Sequence, residues 1–251
     1  MAAVRFDDED GARWITIARP PLNVLDIATI EELSAAVAPL TGRRDLKAIV
    51  FRSGIARAFS AGVDVGDHTR ERVGPMLSAF HGLLRRLDAL PQATVAAVDG
   101  TCLGGGCELA ASCDVVLATP LSVFGQPEID VGCFPPAAAV LLPRVAGRAA
   151  AEMILTGAPL NAAEAARVGL VTRVVPDLEA ETRRIVRLLA AKSAVVLGLA
   201  RRALREGAYG VFTEALDRVE RLYRDELVPT EDMEEGVRAF LEKRPPRWKD
   251  R

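Results

Sequence analysis

The sequence has few of the residues from which metal sites, disulfide frameworks and histidine-based catalytic triads are built. Its 251 residues include two histidines and four cysteines, and no two cysteines form a Cys-x-x-Cys pair. The cysteines lie among Leu, Ala, Val and Phe residues, at positions 102, 107, 113 and 133. We therefore expect reduced, buried thiols and a cytoplasmic location, with no zinc site, no other metal and no redox cofactor.

Long apolar runs and an excess of one charge are also missing. No apolar run reaches the roughly 18 residues of a membrane helix, and the acidic first ten residues lack the apolar segment of a secretory signal. The net charge of -2 gives no electrostatic footprint of a nucleic-acid binder. We therefore expect neither a membrane nor a nucleic acid as a partner.

Apolar patterning predicts an α/β fold followed by a helical part. The predicted strands cover residues 13–18, 48–51, 94–98, 114–118 and 170–175, and the predicted helices cover residues 27–40, 76–87 and 103–112. Asn161 and Glu164 have the spacing of a capping box. We place an α/β core at residues 1–176 and a helical C-terminal part at residues 177–251, with breaks near Ser193, Gly207–Gly210 and Pro229. His81 falls within a helical pattern and is expected to be structural.

A run of three glycines, Gly104 to Gly106, separates a predicted strand from a predicted helix. Glycines let the backbone approach a ligand closely, and the first N–H groups of a helix have no partner within it. Such groups can hold a developing oxyanion. A plain tight turn or a phosphate cradle are the alternatives, but no Walker lysine follows, because Cys107 and Glu108 occupy the next positions.

Two glutamates could bring acid and base chemistry to this turn. Glu108 follows Gly105 by three residues, about one helical turn further on the same face. Glu128 comes later, after the strand predicted at residues 114–118. Two carboxylates in one pocket can divide the acid and base roles between them. The alternative is that each is an ordinary surface residue.

Four strings carry a resemblance to a known family: FSAGVDV, AAVDGTCLGGGCELAASCDVVLA, FGQPEIDVG and LNAAEAARVGLVTRVVP. In this order and spacing they resemble the enoyl-CoA hydratase/isomerase (crotonase) superfamily over residues 10 to 176, and AFLEKRPPRWKD at residues 239–250 resembles the end of that family. The resemblance implies a crotonase-like ββα spiral core with a helical C-terminal trimerisation part. It also implies a homotrimer or a dimer of trimers.

The resemblance assigns roles to the residues of these strings. The backbone N–H groups of Val63 and Gly105 would form an oxyanion hole for the thioester oxygen of an acyl-CoA substrate. Glu108 and Glu128 match the two acid/base positions of the family, and members that hold both glutamates are typically hydratases. The chain would thus add water to a conjugated enoyl- or dienoyl-CoA, with CoA as part of the substrate and no separate cofactor.

One segment departs from most relatives. After FGQPE they carry a glycine-rich stretch that ends in Thr-Gln-Arg, whereas this chain reads GCFPPAAAV at residues 132–140. Two prolines stiffen this backbone and remove two N–H donors. We expect Phe134 and Pro135 to line or support the acyl pocket. With PPLNVLD and FSAGVDVGDH, this loop looks most like the cyclohexa-1,5-diene-1-carbonyl-CoA hydratase branch.

Further contacts with the substrate are expected at five positions. Ala61, Asp64 and His68 lie in or just past the predicted oxyanion segment; Asp64 would organise its turn, and His68 could instead be a loop residue without a catalytic role. Phe240 and Lys243 match family positions that meet the adenine end of CoA in a neighbouring subunit. Ordinary helix packing and a solvated lysine are the alternatives there.

Other functions on the same scaffold remain open at this point. Double-bond isomerisation, decarboxylation and ring hydrolysis of an acyl-CoA use the same oxyanion chemistry, although the retained pair of glutamates favours hydration. A non-catalytic acyl-CoA or RNA binder is the alternative from another class. Both glutamates and the net charge of -2 speak against it.

Overall fold

Two β-sheets surrounded by helices make up the computed structural model, which describes residues 2–205 and 212–247. The strands are β1 (Val4–Glu9), β2 (Ala12–Ile17), β3 (Ala48–Ser53), β4 (Ala58–Ser60), β5 (Ala93–Val98), β6 (Thr101–Leu103), β7 (Val115–Ala118), β8 (Val123–Gly125), β9 (Leu160–Asn161) and β10 (Arg173–Val174). The expected mixture of α and β structure is thereby confirmed.

The larger sheet has the strand order β1-β2-β3-β5-β7-β10. Strands β1 and β2 form an antiparallel hairpin, and every other neighbouring pair in this sheet is parallel. Every residue of β2 and β5 is buried, as expected for parallel strands whose two faces are both covered by other elements. The hairpin turns at Asp10 and Gly11, which have φ angles of 54° and 76°.

The smaller sheet has the order β4-β6-β8-β9 and places the conspicuous motifs together. Strands β4, β6 and β8 are parallel neighbours, and β9 is antiparallel to β8. The carboxyl ends of the three parallel strands therefore lie at one edge, the edge at which α/β sheets commonly bind ligands. The segments that follow them are residues 61–63, the glycines at 104–106, and residues 126–128.

The helices are α1 (Ile27–Val37), α2 (Val73–Ala89), α3 (Gly105–Ala111), α4 (Pro136–Ala146), α5 (Arg148–Thr156), α6 (Ala162–Arg167), α7 (Leu178–Ala190), α8 (Ala194–Leu204), α9 (Phe212–Leu222) and α10 (Glu231–Leu241). The predicted capping box is confirmed, because Glu164 N–H donates to Asn161 while the Glu164 carboxylate accepts from Asn161 N–H. Ser193 caps α8, as the predicted break there requires. Within the described ranges, no helix is long and apolar enough to cross a membrane.

Some predicted boundaries are wrong, and each has a physical reason. The helix predicted over residues 103–112 starts only at Gly105, because Leu103 pairs with Gly125 in the smaller sheet. The strand predicted over residues 170–175 is reduced to Arg173–Val174, where pairing with β7 is available. The break predicted at Gly207–Gly210 lies outside the described residues.

The C-terminal helices pack in three places, one of which is the main core, where Phe212 and Leu216 of α9 are buried. On one face of the larger sheet, Val186 of α7 is buried with Trp14 and Val95. Beside the smaller sheet, Tyr223 and α10 pack against α2 and the 131–134 segment in a separate apolar cluster. Helical elements from the end of the chain thus help to enclose the edge of the sheet where the motifs meet.

Candidate active site

Two backbone segments meet beside the glycine turn. Leu25 N–H donates to the Gly62 carbonyl at 2.8 Å, and Asp64 N–H donates to the Leu25 carbonyl at 3.2 Å. Because neighbouring groups of an extended chain alternate in direction, the N–H of Val63 faces the opposite side. A Cβ atom built on Gly105 would lie 3.4 Å from Val63 N, so the two backbones are in contact there.

The glycines are required by this close approach. A Cβ atom at Gly104, whose φ is +49°, would lie 2.5 Å from Glu128 Oε1. A Cβ atom at Gly105 would lie 2.6 Å from Val63 Cγ2. Gly105 is also the first residue of α3, so its N–H has no partner within the helix. The turn therefore leaves backbone N–H groups uncovered, close to the Glu128 carboxyl group. Such N–H groups can stabilise an oxyanion.

Glu108 lies in the first turn of α3 and is 4% exposed. Its Oε1 accepts a hydrogen bond of 2.7 Å from Ala138 N–H, in the first turn of α4. Burial raises the pKa of Glu108, while His81 and the N–H groups of Ala138 and Ala137 partly oppose that rise. The carboxylate thus occupies the N-terminus of α4, where a negative charge is favoured.

Glu128 lies on the short 3-10 turn Pro127–Val131 that follows β8. Its Oε2 is buried and has no hydrogen-bond partner among the described residues. Burial first, and the charge of Glu108 second, raise the pKa of Glu128 to about 8. Glu128 therefore retains a proton around neutral pH, while the N–H groups of Ala137 and Ala138 favour the ionised form of Glu108. The pair can therefore supply one base and one acid at the same time.

Both carboxyl groups face a cavity of about 370 Å³. Its wall is mostly apolar and comes from α2, the 3-10 turns Val65–His68 and Pro127–Val131, α4 and the C-terminal helices. The apolar lining includes Val65, Met76, Leu77, Phe80, Phe134 and Tyr223. The rings of Phe134 and Tyr223 meet edge to face, with centroids 5.0 Å apart and planes at 63°. An apolar cavity with a few convergent polar groups is the usual form of a small-molecule site.

The remaining predicted contacts divide into two groups. Ala61, His68, Pro135 and Phe240 line the cavity with Val63 and Gly105. Burial lowers the pKa of His68, whose Nδ1 lies 3.1 Å from the Asp64 carbonyl oxygen. Asp64 and Lys243 lie outside the lining that one chain provides. The Asp64 carboxylate instead accepts from Gly66 N–H at 2.8 Å and thereby caps the turn after Val63.

The structure also brings in residues that the sequence did not point to. Tyr223 and His81 line the cavity, and Ala138 supplies the N–H that holds Glu108. Of these, Ala138 lies in the double-proline stretch, and His81 was expected from the sequence to be structural. That stretch is the start of α4, with Pro136 at the first helical position, where the N–H would be unpartnered in any case. No local pattern marks Tyr223 or His81, because their role depends on long-range packing.

Comparison with known proteins identifies the family. The model of the enoyl-CoA hydratase/isomerase family matches residues 7–251. The chain is 38% identical over 239 residues to cyclohexa-1,5-dienecarbonyl-CoA hydratase of Thauera aromatica, covering 94% of this chain and 92% of that one. It is 39% identical over 243 residues to a probable enoyl-CoA hydratase of Mycobacterium bovis, covering 94% of each. The chain therefore belongs to the enoyl-CoA hydratase/isomerase family.

Solved structures agree with this assignment. The crystal structure of an enoyl-CoA hydratase from Mycobacterium avium subsp. paratuberculosis matches with a TM-score of 0.87 at 30% identity and covers 100% of both chains. An enoyl-CoA hydratase/isomerase from Xanthobacter autotrophicus matches with a TM-score of 0.85 at 30% identity and covers 96% of both. The fold is the crotonase fold, as the sequence motifs predicted.

Proposed function

We propose that this protein is a hydro-lyase that adds water to a carbon–carbon double bond conjugated with a coenzyme A thioester. The observation that carries the proposal is the placement of Glu108 and Glu128, both with a raised pKa, at one apolar cavity beside the Val63–Gly105 contact. Two relatives described above bear hydratase names, which supports the same reaction here.

In the proposed mechanism, the N–H groups of Val63 and Gly105 bind the thioester oxygen. They stabilise the negative charge that develops on this oxygen when water attacks the conjugated carbon chain. Glu108 is the base that takes a proton from water, because the N–H groups at the start of α4 favour its ionised form. Glu128 holds a proton near neutral pH and delivers it to the α-carbon.

The proposed substrate is a conjugated cyclic dienoyl thioester, such as cyclohexa-1,5-diene-1-carbonyl-CoA. The edge-to-face pair of Phe134 and Tyr223 gives the cavity an aromatic corner, in which a planar ring can pack against either side chain. The relative from Thauera aromatica bears the name of this activity at 38% identity. A linear enoyl-CoA is the other candidate, because the relative from Mycobacterium bovis is a probable enoyl-CoA hydratase.

A direct competition assay tests both levels of the proposal. The purified protein is offered crotonyl-CoA and cyclohexa-1,5-diene-1-carbonyl-CoA together, and products are identified by mass spectrometry and chromatography. Gain of one water by either thioester, lost in Glu128→Gln, supports the hydratase. A preference for the cyclic thioester supports the ring substrate, and a preference for crotonyl-CoA refutes it. Rearranged, decarboxylated or ring-opened products without simple hydration would refute the hydratase itself.

We further propose a homotrimer or a dimer of trimers in which Phe240 and Lys243 meet the adenine end of CoA bound to a neighbouring subunit. Support comes from large apolar side chains that are exposed on α7 and α8 of the single chain, a kind of surface that subunit contacts cover. These side chains are Leu188, Val195, Val196, Leu199 and Leu204. Light scattering after size-exclusion chromatography tests the assembly, and a monomeric mass would refute it.

We propose that CoA enters only as part of the substrate, that no separate cofactor is needed, and that the protein works in the cytoplasm. Four free cysteines support a reducing compartment. Activity that survives dialysis against a chelator would support the lack of a cofactor, and activity restored only by added metal would refute it. Fractionation of cells that produce the protein tests its location.

A further inference from the structure

A buried histidine faces the same cavity and has no part in the mechanism above. His81 lies on α2, is 1% exposed and lines the cavity with Glu108. Its Nδ1 lies 3.1 Å from Glu220 Oε2. Its Nε2 is buried and has no hydrogen-bond partner among residues 2–205 and 212–247. A buried polar atom without a partner is costly, so its presence beside a ligand cavity calls for a ligand group.

Glu220 determines which nitrogen of the ring carries the proton. This carboxyl group, on α9, is 5% exposed and accepts from Arg85 at 3.0 Å, and Arg224 lies 3.4 Å from its other oxygen. Hydrogen bonds from His81 and Arg85 lower the pKa of Glu220 to about 2, despite its burial. An ionised carboxylate only accepts hydrogen bonds, so Nδ1 of His81 must donate. In the neutral ring, Nε2 is then a lone-pair acceptor, on a side chain that lines the cavity.

The requirement for a hydrogen-bond donor at Nε2 points to water. The thioester oxygen is an acceptor, and the acyl chain of an enoyl-CoA carries no donor. Water has two hydrogens, and Glu108 takes one of them in the mechanism proposed above. We propose that His81, held by Glu220, accepts a hydrogen bond from the second hydrogen of the water that is added. This inference rests on the proposed hydratase function and makes His81 a further positioning residue for its nucleophile.

No extra chemistry is needed for this role. In the attack, the water oxygen forms a bond to a carbon of the conjugated double bond, the π electron pair of that bond moves toward the thioester oxygen, and one proton leaves for Glu108. The second hydrogen stays on the oxygen and becomes the hydroxyl hydrogen of the product. His81 orients the water before the attack and stays hydrogen-bonded to the new hydroxyl group afterwards. Orientation of a nucleophile lowers the barrier of its attack and leaves steps without the nucleophile unchanged.

The prediction separates water addition from proton transfer at carbon. His81→Phe should lower kcat for hydration of crotonyl-CoA by about tenfold or more, the effect of one lost hydrogen bond of about 1.4 kcal/mol. Deuterium exchange at the α-carbon of butanoyl-CoA in D2O needs the oxyanion site and Glu128 but adds no water. The rate of this exchange in His81→Phe should therefore differ from the wild-type rate by less than about threefold.

His81→Gln, which keeps a hydrogen-bond acceptor on a side chain of similar reach, should recover part of the lost hydration rate. Asp217→Asn is the matched control, because exposed Asp217 binds Arg85 at 2.5 Å, whereas the carboxylate that binds His81 is that of Glu220.

A spectroscopic measurement tests the orientation without any turnover. The chain has two histidines, so the imidazole nitrogens of a 15N-histidine-labelled sample are assigned with one His68 variant. We expect the neutral ring of His81 to carry its proton on Nδ1 and to be bare on Nε2. In Glu220→Gln the amide can donate to Nδ1, and the proton should move to Nε2. Hydration by this variant should then fall as it does in His81→Phe.

Three results would overturn the inference. They are a protonated Nε2 in the wild-type protein, equal losses of hydration and exchange in both His81→Phe and His81→Gln, and a kcat for hydration that His81→Phe leaves unaltered, whether or not KM changes. If His81→Phe does not fold, as judged by circular dichroism, His81→Gln and the nitrogen spectra decide. A wild-type protein that exchanges the α-hydrogen but hydrates no enoyl-CoA would refute the hydratase itself, and with it the role in binding water. The two failures can be told apart, because hydration by both the wild-type protein and His81→Phe would refute only the role of His81.

Discussion

Glu128→Gln should separate catalysis from stability, because the burial that suits Glu128 for catalysis destabilises the folded chain. The amide has nearly the same shape as the carboxyl group but cannot ionise or donate an acidic proton. In the folded protein, the pKa of Glu128 rises from 4.5 to about 8 because of burial and the nearby Glu108. The folded state therefore holds this proton more tightly than the unfolded state does.

The sign of the effect on stability follows from this direction. Below pH 4.5 the group is protonated in both states and contributes no difference. Between pH 4.5 and about 8 it is ionised only in the unfolded chain, so the wild-type protein loses about 1.36 kcal/mol of stability for each pH unit. The full difference, reached above pH 8, is about 5 kcal/mol at most. Glu128→Gln avoids this loss.

The assay is urea unfolding of both proteins at pH 5, 6, 7 and 8 and at a fixed protein concentration. The variant should match the wild type near pH 5 and be increasingly more stable toward pH 8, while its hydratase turnover falls about 10²-fold or more. Glu31→Gln, on an exposed position of α1, is the control and should have little effect at any pH. A variant that is less stable at pH 8, or whose stability difference does not depend on pH, would refute the assigned environment of Glu128.

Three further predictions concern other parts of the molecule. Glu108→Gln should fold and lose about 10²-fold in turnover, since it keeps an acceptor for Ala138 N–H but cannot take a proton from water; turnover near that of the wild type would remove Glu108 from the mechanism. Gly105→Ala should reduce activity and lower stability by about 1–3 kcal/mol, because its Cβ would lie 2.6 Å from Val63 Cγ2. Adding Val63→Ala should restore part of the stability. If thermal unfolding shows no recovery in the double variant, this steric explanation is wrong. Arg201→Leu should cost about 1–3 kcal/mol in urea unfolding, because Arg201 is 4% exposed and donates to Asp114 at 2.5 Å and to the Leu87 carbonyl at 3.1 Å. A change below about 0.5 kcal/mol would show that these hydrogen bonds contribute little.

Local sequence determined those features that depend on neighbouring residues. Apolar runs predicted β3 and β5 because both strands are buried in the larger sheet. The spacing of Asn161 and Glu164 predicted a capping box, because its two hydrogen bonds span three residues. The family motifs predicted the crotonase fold, and three of them contain the segments that follow the parallel strands β4, β6 and β8.

Tertiary structure alone decided how the candidate site is completed. The short strands β4, β6 and β8 have three residues each, too few for a reliable period, and they exist because they pair with one another. Glu108 is held by an N–H 30 residues further along the chain. His81 meets Glu220 across 139 residues. Such contacts depend on how the helices pack and on which polar groups are buried away from water. Neither can be inferred from a short stretch of sequence.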